Sequence, residues 1–346
     1  MDATTLTVRF KDSRIELVHG AGGKATRRLI EGLFLPLLAN PALAALGDAA
    51  LVEMGEARLA VTTDAFVVRP LRFPGGSIGE LAVYGTVNDL AVSGARPLGL
   101  TASFILEAGL PAETLQAEVE AMSRAAQRAG VAIIAGDTKV VEHGKADGMY
   151  ITTTGIGLVD PRVRLDARAV RPGDRVLLSG PIGDHGITVL LARGDVNLDA
   201  DLVSDTRPLT PLVAALVEAA APGLRWMRDP TRGGVASALN ELARDCGHGV
   251  ALLEEAIPVR DAVRGACELL GLDPLYVANE GQVLAVIAPE HADAALGALR
   301  ATPGGEGAAM VGEVREGPAR TLVAVTVYGG SRVVDMLVGD PLPRIC

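Results

Sequence analysis

This amino-acid sequence predicts a mixed α/β (α+β) protein of two domains, residues 1–165 and 166–328, followed by a mobile tail over 329–346. Three observations carry that expectation. A chain of 346 residues is long for a single hydrophobic core. Its residues are 49% hydrophobic but only 3% aromatic, so the core is built from Ala, Val, Leu and Ile, which suit packed α/β layers. Short apolar runs of strand length alternate with helical stretches, and Gly and Pro punctuate both.

Taken in order, residues 14–18 read as a strand running into His19-Gly20-Ala21-Gly22-Gly23-Lys24 and then a helix to about Ala39. Residues 58–63 form a strand that ends in Asp64, and 78–93 form a helix followed by a strand over 99–106. The helix over 111–129 has Pro111 at its first turn and Gly130 just past its end, the expected start and stop signals. Residues 131–135 make an apolar strand ending at Gly136-Asp137, and 148–159 make another. The stretch 160–174, with Pro161 and Pro172, marks the domain junction. In the second half, 175–179, 282–288 and 321–326 read as strands, while 205–221, 233–246 and 289–300 read as helices. The final segment fits neither period. Gly330 and Gly339 read as joints, Pro341 and Pro343 as stiff pieces, and from Gly330 the tail reaches about 50 Å at roughly 3.3 Å per residue.

Composition excludes several classes of function. Lys and Arg number 32 against 42 Asp and Glu, a net charge of −10, which denies nucleic acid the positive field it needs. Few aromatics means few platforms for stacking bases. No apolar run approaches a membrane span, and the N-terminus lacks a signal-peptide pattern. Cys246, Cys267 and Cys346 form no CxxC pair, so a reducing, cytoplasmic compartment is expected.

Acidic residues stand where strands or Gly turns end: Asp48, Asp64, Asp89 and Asp137. In an open α/β sheet strand ends converge on a ligand crevice. Carboxylates gathered there repel one another unless a cation such as Mg²⁺ holds them, as at nucleotide phosphates. Gly20-Ala21-Gly22-Gly23-Lys24 is not a Walker A loop, because Val18 and Ala25 stand where that pattern needs Gly and Ser/Thr. A Gly-rich turn opening a helix still offers backbone N–H groups to an anion, and it equally suits a surface turn. Asp229-Pro230-Thr231-Arg232-Gly233-Gly234 repeats the theme, with an acid and a cation in one place. Lys139 and Glu280 are candidates for proton traffic, whereas the five histidines, His185 among them, show no metal spacing and read as surface or turn residues. Cys346 closes the sequence on a jointed arm, so its thiol could visit one site and then another. That is carrier chemistry.

These stretches together resemble the HypE family of hydrogenase maturation factors, within the PurM-like (aminoimidazole ribotide synthetase-like) superfamily. The resemblance runs from His19 to Cys346. It is carried by the Gly-rich turn, Thr62-Thr63-Asp64, Pro74-Gly75-Gly76, Gly85-Thr86-Val87-Asn88-Asp89, Gly136-Asp137-Thr138-Lys139, Asp229-Pro230-Thr231-Arg232, Ala278-Asn279-Glu280-Gly281 and above all the closing Pro343-Arg344-Ile345-Cys346. It implies two PurM-like domains, the first pairing with its twin in a homodimeric, barrel-like interface. It implies that a HypF-type carbamoyltransferase loads Cys346. ATP then dehydrates the S-carboxamide to an S-cyanide, which passes to iron on a HypC–HypD complex. By matching motifs, Gly22, Gly23, Lys24, Asp64, Asn88, Asp89, Asp137, Thr138 and Asp229 would hold ATP. Asp64, Asp89 and Asp137, with Asp48, would hold Mg²⁺, and Lys139 and Glu280 would lie beside the thiocarboxamide, Glu280 as base. One departure is Ala49, where many superfamily members carry a second Asp. The alternatives are another ATP-using kinase or synthetase of the superfamily, which does not account for Cys346, or a non-catalytic nucleotide-binding scaffold whose tail only recognises partners.

Overall fold

The structure is a computed structural model. It describes residues 10–38, 40–43, 46–194, 198, 200–326, 328–339, 342 and 344–346. The expected helix end at Ala39, the stiff Pro341 and Pro343, and residues 1–9 at the N-terminus all lie outside the described residues.

The first domain opens with helices α1 (Lys24–Leu29) and α2 (Leu35–Leu38), joined by a π-helical turn over Ile30–Phe34. The strand expected over 14–18 is absent, and a 3₁₀ turn, Leu17–Gly20, stands at its end. Strands β1 (Ala50–Met54), β2 (Ala57–Phe66), β5 (Ala95–Glu107), β6 (Ile133–Val141) and β7 (Met149–Val159) form one sheet, in the order β1-β2-β7-β5-β6. Two short strands, β3 (Arg72–Phe73) and β4 (Gly76–Ser77), pair beside it. Only β5 and β6 run parallel, because α4 (Ala112–Ala129) carries the chain across between them. Helix α3 (Ile78–Val92) is buried almost all round, as its mostly apolar sequence requires. It lies on β2, β5 and β7, with α4 packed beside it. On α4, Ala121, Met122, Ala125 and Ala126 face inward at helical spacing, and Gly130 ends the helix at φ 66°.

Helix α3 covers one face of this sheet, and α4 packs against α3. The other face and the edge strands leave Leu51, Val52, Met54, Ile105, Ile134, Val140 and Leu158 exposed. An apolar surface of that extent on a folded chain marks an interaction site.

The second domain holds β8 (Arg175–Leu178), β9 (Leu224–Arg228), β10 (Gly249–Leu253), β11 (Leu284–Ile287), β12 (Ala309–Arg315), β13 (Leu322–Val325) and β14 (Ser331–Val333). Their order is β14-β13-β10-β12-β8-β11-β9. One core joins this sheet to α7 (Gly234–Cys246) through Val235, Leu239 and Leu242. A second joins it to α6 (Thr210–Ala220) and α9 (Pro289–Ala301) through Leu212, Leu216, Ala295 and Leu299. Helices α5 (Asp184–Ala192) and α8 (Asp261–Leu270) pack on the first domain, where Ile187 and Val263 share a core with Leu81 and Ile151.

Three expectations are corrected. Strands β2 and β6 run through Asp64 and Asp137 rather than ending at them. The helix expected from 205 begins at Thr210, which frees 205–209 for the site described below. Residues expected to begin the mobile tail form β14, an edge strand on β13, and Gly330 sits in the turn between them.

Candidate active site

Four carboxylates that are far apart in sequence meet beneath α3. Asp89 comes from its last turn, Asp64 from β2, Asp48 from the turn before β1, and Asp229 from the end of β9. One carboxylate oxygen each from Asp48, Asp89 and Asp229 lies within 4.8 Å of the others. Thr62 donates its hydroxyl to Asp89 at 2.7 Å, and Arg228 stands 3.2 Å from Asp48. A cavity of about 50 Å³ opens on this cluster, lined also by Phe66, Thr231, Arg232, Glu280 and Cys346. Gly85 permits the close fit, since a Cβ there would lie 2.8 Å from the Phe66 ring.

The electrostatics are those of too much negative charge in too little water. Burial, then the charges of Asp64, Asp229 and Asp48, push Asp89 well above the usual carboxylate range. Burial, Asp48 and Asp64 push Asp229 up to about 8. Burial raises Asp48 against the pull of Arg228, and Asp64 against that of Arg232. Hard oxygen donors that resist ionisation when alone fit a divalent cation such as Mg²⁺, whose charge would let them ionise together.

Glu280 is held by its backbone. Its N–H donates to Asp205 Oδ1 at 3.0 Å, and its carbonyl accepts from Asn88 Nδ2 at 3.3 Å. The preceding Asn279 is pinned by Pro230 O and by the N–H of Gly183. Burial, then Asp229, Asp205 and Asp64, raise the Glu280 carboxyl well above its ordinary value.

The tail is docked, not free. Its base crosses the start of α1, where Lys24 N donates to Leu337 O at 2.9 Å and Ala25 N to Val338 O at 3.3 Å. Lys24 Nζ pairs with Asp335. Leu342 and Ile345 are buried in the first-domain core. Beyond β2, Arg69 N donates to Arg344 O and Val67 N to Cys346 O at 3.0 Å, and the Arg344 side chain pairs with Asp147. Buried His185 donates from Nε2 to Ile345 O at 2.7 Å. These contacts place Cys346 in the acidic cavity.

The structure therefore brings together Asp48, Asp64, Asp89, Asp229, Glu280 and Cys346. It does not bring Asp137, Thr138 and Lys139 to them within one chain. Asp64 pairs with Thr153, Thr153 with Ala102, and Ala102 with Gly136, so the Gly-Asp step lies three strands away, about 14 Å at roughly 4.8 Å per strand. Strand alternation also turns Asp137 and Lys139, register partners of Ser103 and Ile105, to the uncovered face, where they pair with each other at 2.9 Å. Asn88 braces rather than faces the cavity: its amide donates to Arg207 O and Glu280 O and accepts from Leu209 N. At the expected phosphate turn the N–H groups of Lys24 and Ala25 have tail carbonyls as partners, Gly23 packs against Leu337 O, and Gly22 packs against Arg232.

Arg228, Thr62, Asp205 and His185 were not foreseen as site residues. Arg228 adjoins Asp229 and Thr62 belongs to the Thr62-Thr63-Asp64 motif, so proximity to Asp229 and Asp64 was an available signal. Asp205 and His185 carry none, because their partners lie in distant segments.

The family models described as AIR synthase related protein, N-terminal domain and C-terminal domain, match residues 46–159 and 171–325. The carbamoyl dehydratase HypE of Azotobacter vinelandii is 53% identical over 337 residues, which is 97% of this chain and 98% of that protein. Among solved structures, one of a HypE–HypF complex superposes with a TM-score of 0.85 at 43% identity, covering 89% of this chain and 99% of that one. A hydrogenase maturation protein HypE in complex with ATP superposes at 0.80 with 46% identity, covering 96% and 100%.

Proposed function

The chain belongs to the AIR synthase related family and, within it, to the HypE carbamoyl dehydratases, and from that membership we propose how its own residues carry the reaction. It is an ATP-using enzyme of hydrogenase maturation that removes the elements of water from a carbamoyl group. We place that group on the Cys346 sulfur. The observation that carries this is the docked tail, which seats Cys346 in one cavity with Glu280, Asp64, Asp89 and Asp229, and Asp48 lies beside the last two.

The chemistry follows from the leaving group. An amide oxygen leaves poorly, whereas phosphate leaves well once the oxygen has attacked the γ-phosphorus of ATP. The S-carboxamide and ATP thus become S-cyanide, ADP and phosphate, with the two N–H protons lost from nitrogen. Asp48, Asp89 and Asp229, with Asp64 beside them, would hold Mg²⁺, which neutralises triphosphate charge when bound. Arg232 adds a cation at the cavity wall. Glu280 takes a proton from nitrogen, and its raised pKa makes it a stronger acceptor than an ordinary carboxylate.

A HypF-type carbamoyltransferase would load the thiol, and a HypC–HypD acceptor would receive the cyanide. The uncovered apolar face is the surface for a second copy, giving a homodimer. Lys139 and Asp137 lie on that face, so any part they take in catalysis comes through the dimer rather than within one chain.

The deciding experiment is mass spectrometry of the C-terminal peptide after incubation with the loading partner, carbamoyl phosphate and ATP. Cys346 should gain a carbamoyl group and then lose water. Cys346→Ala should bind ATP yet make no product, and Glu280→Gln should let the thiocarboxamide persist. Nitrile formation by Cys346→Ala would remove the carrier role, and normal turnover by Glu280→Gln would reassign the base.

A further inference from the structure

We propose that His185 is a positioning residue which, through the loop of residues 204–207, sets the Cys346 thiol and Glu280 in register with each other. The inference rests on the carrier and base roles given above, but its geometry is independent of them.

His185 sits in the first turn of α5 and is fully buried. Phe73 meets its ring edge-on at 5.5 Å. Its Nε2 lies 2.7 Å from the Ile345 carbonyl, one residue before the thiol. A carbonyl only accepts, so Nε2 carries the hydrogen. Nδ1 of the neutral ring then has a lone pair, and it receives the Ser204 hydroxyl at 2.8 Å. Burial pushes the ring pKa down to about 4, which keeps this neutral form through the physiological range. Ser204 Oγ in turn accepts the Thr206 N–H at 3.2 Å and lies 2.7 Å from the Thr206 hydroxyl. The polarity of the whole chain is therefore determined by one carbonyl of the tail.

The residues between and after those two hydroxyls hold the base. Asp205 accepts the Glu280 N–H, and Arg207 donates from Nε to Gly281 O at 2.8 Å. Gly281 must be glycine for this, since a Cβ there would fall 1.8 Å from Asp205 O. Four consecutive residues thus serve two masters: Ser204 and Thr206 secure the tail through His185, while Asp205 and Arg207 secure Glu280-Gly281. The relative placement of sulfur and base passes through one short loop.

The test uses the full chain with His185→Leu, His185→Gln and Ser204→Ala. Three readouts are taken: iodoacetamide labelling of Cys346 followed by peptide mass spectrometry, ATP affinity, and single-turnover dehydration of the carbamoylated protein. His185→Leu should label Cys346 about 5- to 10-fold faster and dehydrate more slowly by a similar factor, the effect of losing one buried hydrogen bond, with ATP affinity unchanged. His185→Gln keeps an N–H donor and should recover most of both. Ser204→Ala leaves the ring but removes its orienting hydroxyl, so it should raise labelling even if the leucine variant fails to fold. Labelling at the wild-type rate in folded His185→Leu or Ser204→Ala overturns the proposal, as does a glutamine variant no better than leucine. Labelling reports docking without any carbamoyl chemistry, so this outcome is separate from failure of the carrier role.

Discussion

Gly23→Ala separates the two readings of the glycine-rich turn. Gly23 caps α1 with φ −100° and ψ −159°, extended backbone that alanine adopts without strain. What alanine cannot do is fit. Its Cβ would stand 2.4 Å from Leu337 O and 3.2 Å from Val338 O. The first contact is impossible, so the tail must lift at its base. Those two carbonyls accept the N–H groups of Lys24 and Ala25. Losing both hydrogen bonds removes about 1–3 kcal/mol of docking free energy. At about 1.4 kcal/mol per factor of ten, that opens the tail about 5- to 100-fold. Iodoacetamide labelling of Cys346, read on the C-terminal peptide, measures the change directly. Gly20→Ala is the control, because a Cβ there meets nothing within 4 Å. If Gly23 instead cradles phosphate, Gly23→Ala weakens ATP binding and leaves labelling at the wild-type rate. That result would refute the assignment of this turn to the tail.

Two further outcomes follow from the carboxylates and the bare sheet face. Asp229 is raised from 3.8 to about 8, so without metal the folded state resists its ionisation, and stability falls as pH climbs from about 4 to 8. Asp229→Asn should shrink that slope, stabilise the EDTA-treated protein at pH 7 by up to on the order of 4 kcal/mol, and reduce any rise in Tm on adding Mg²⁺, all measurable by urea and thermal melts; an unchanged pH slope would count against the crowded-carboxylate picture. Ile134 is 62% exposed on edge strand β6, so Ile134→Glu should turn the proposed dimer into a monomer in sedimentation velocity while leaving the monomer fold intact by circular dichroism; a wild type that is itself monomeric would refute the dimer, and a persisting mutant dimer would put the interface elsewhere.

Much of this site is legible in the sequence because its local signals are strong. The Pro111 start and Gly130 stop of α4, and the apolar run of α3, depend only on neighbours, and both helices stand where they are expected. Asp48, Asp64, Asp89 and Asp229 stand at Gly turns or in short motifs that gain meaning together, and the fold brings all four together. Asp137 shows where local reading stops. Asp64 and Asp137 look alike, each an acid after an apolar strand. Which face an acid occupies depends on strand parity, and where it lies depends on strand order. Neither is written near the residue itself. Read through the ladder, Asp64 lies under α3 and Asp137 on the open face three strands away.

The tail makes the same point about energetics. Glycine, proline and a terminal cysteine describe a segment that can move, and nothing local opposes that reading. What docks it is spread over partners remote in sequence: Lys24, Val67, Arg69, Asp147 and His185. Each contributes one or two contacts worth about 1 kcal/mol apiece, small enough to be released one by one. Buried Ile345 and Leu342 add apolar burial of about 1.5–3 kcal/mol each, offset in part by the entropy of ordering the chain. A carrier needs this balance. Were the tail held only by its two apolar side chains, it would dock without a defined position for sulfur. Were it held by a continuous strand ladder, it would not leave. Scattered single hydrogen bonds to an apolar-anchored tail give a docked state that is specific in geometry and still reversible.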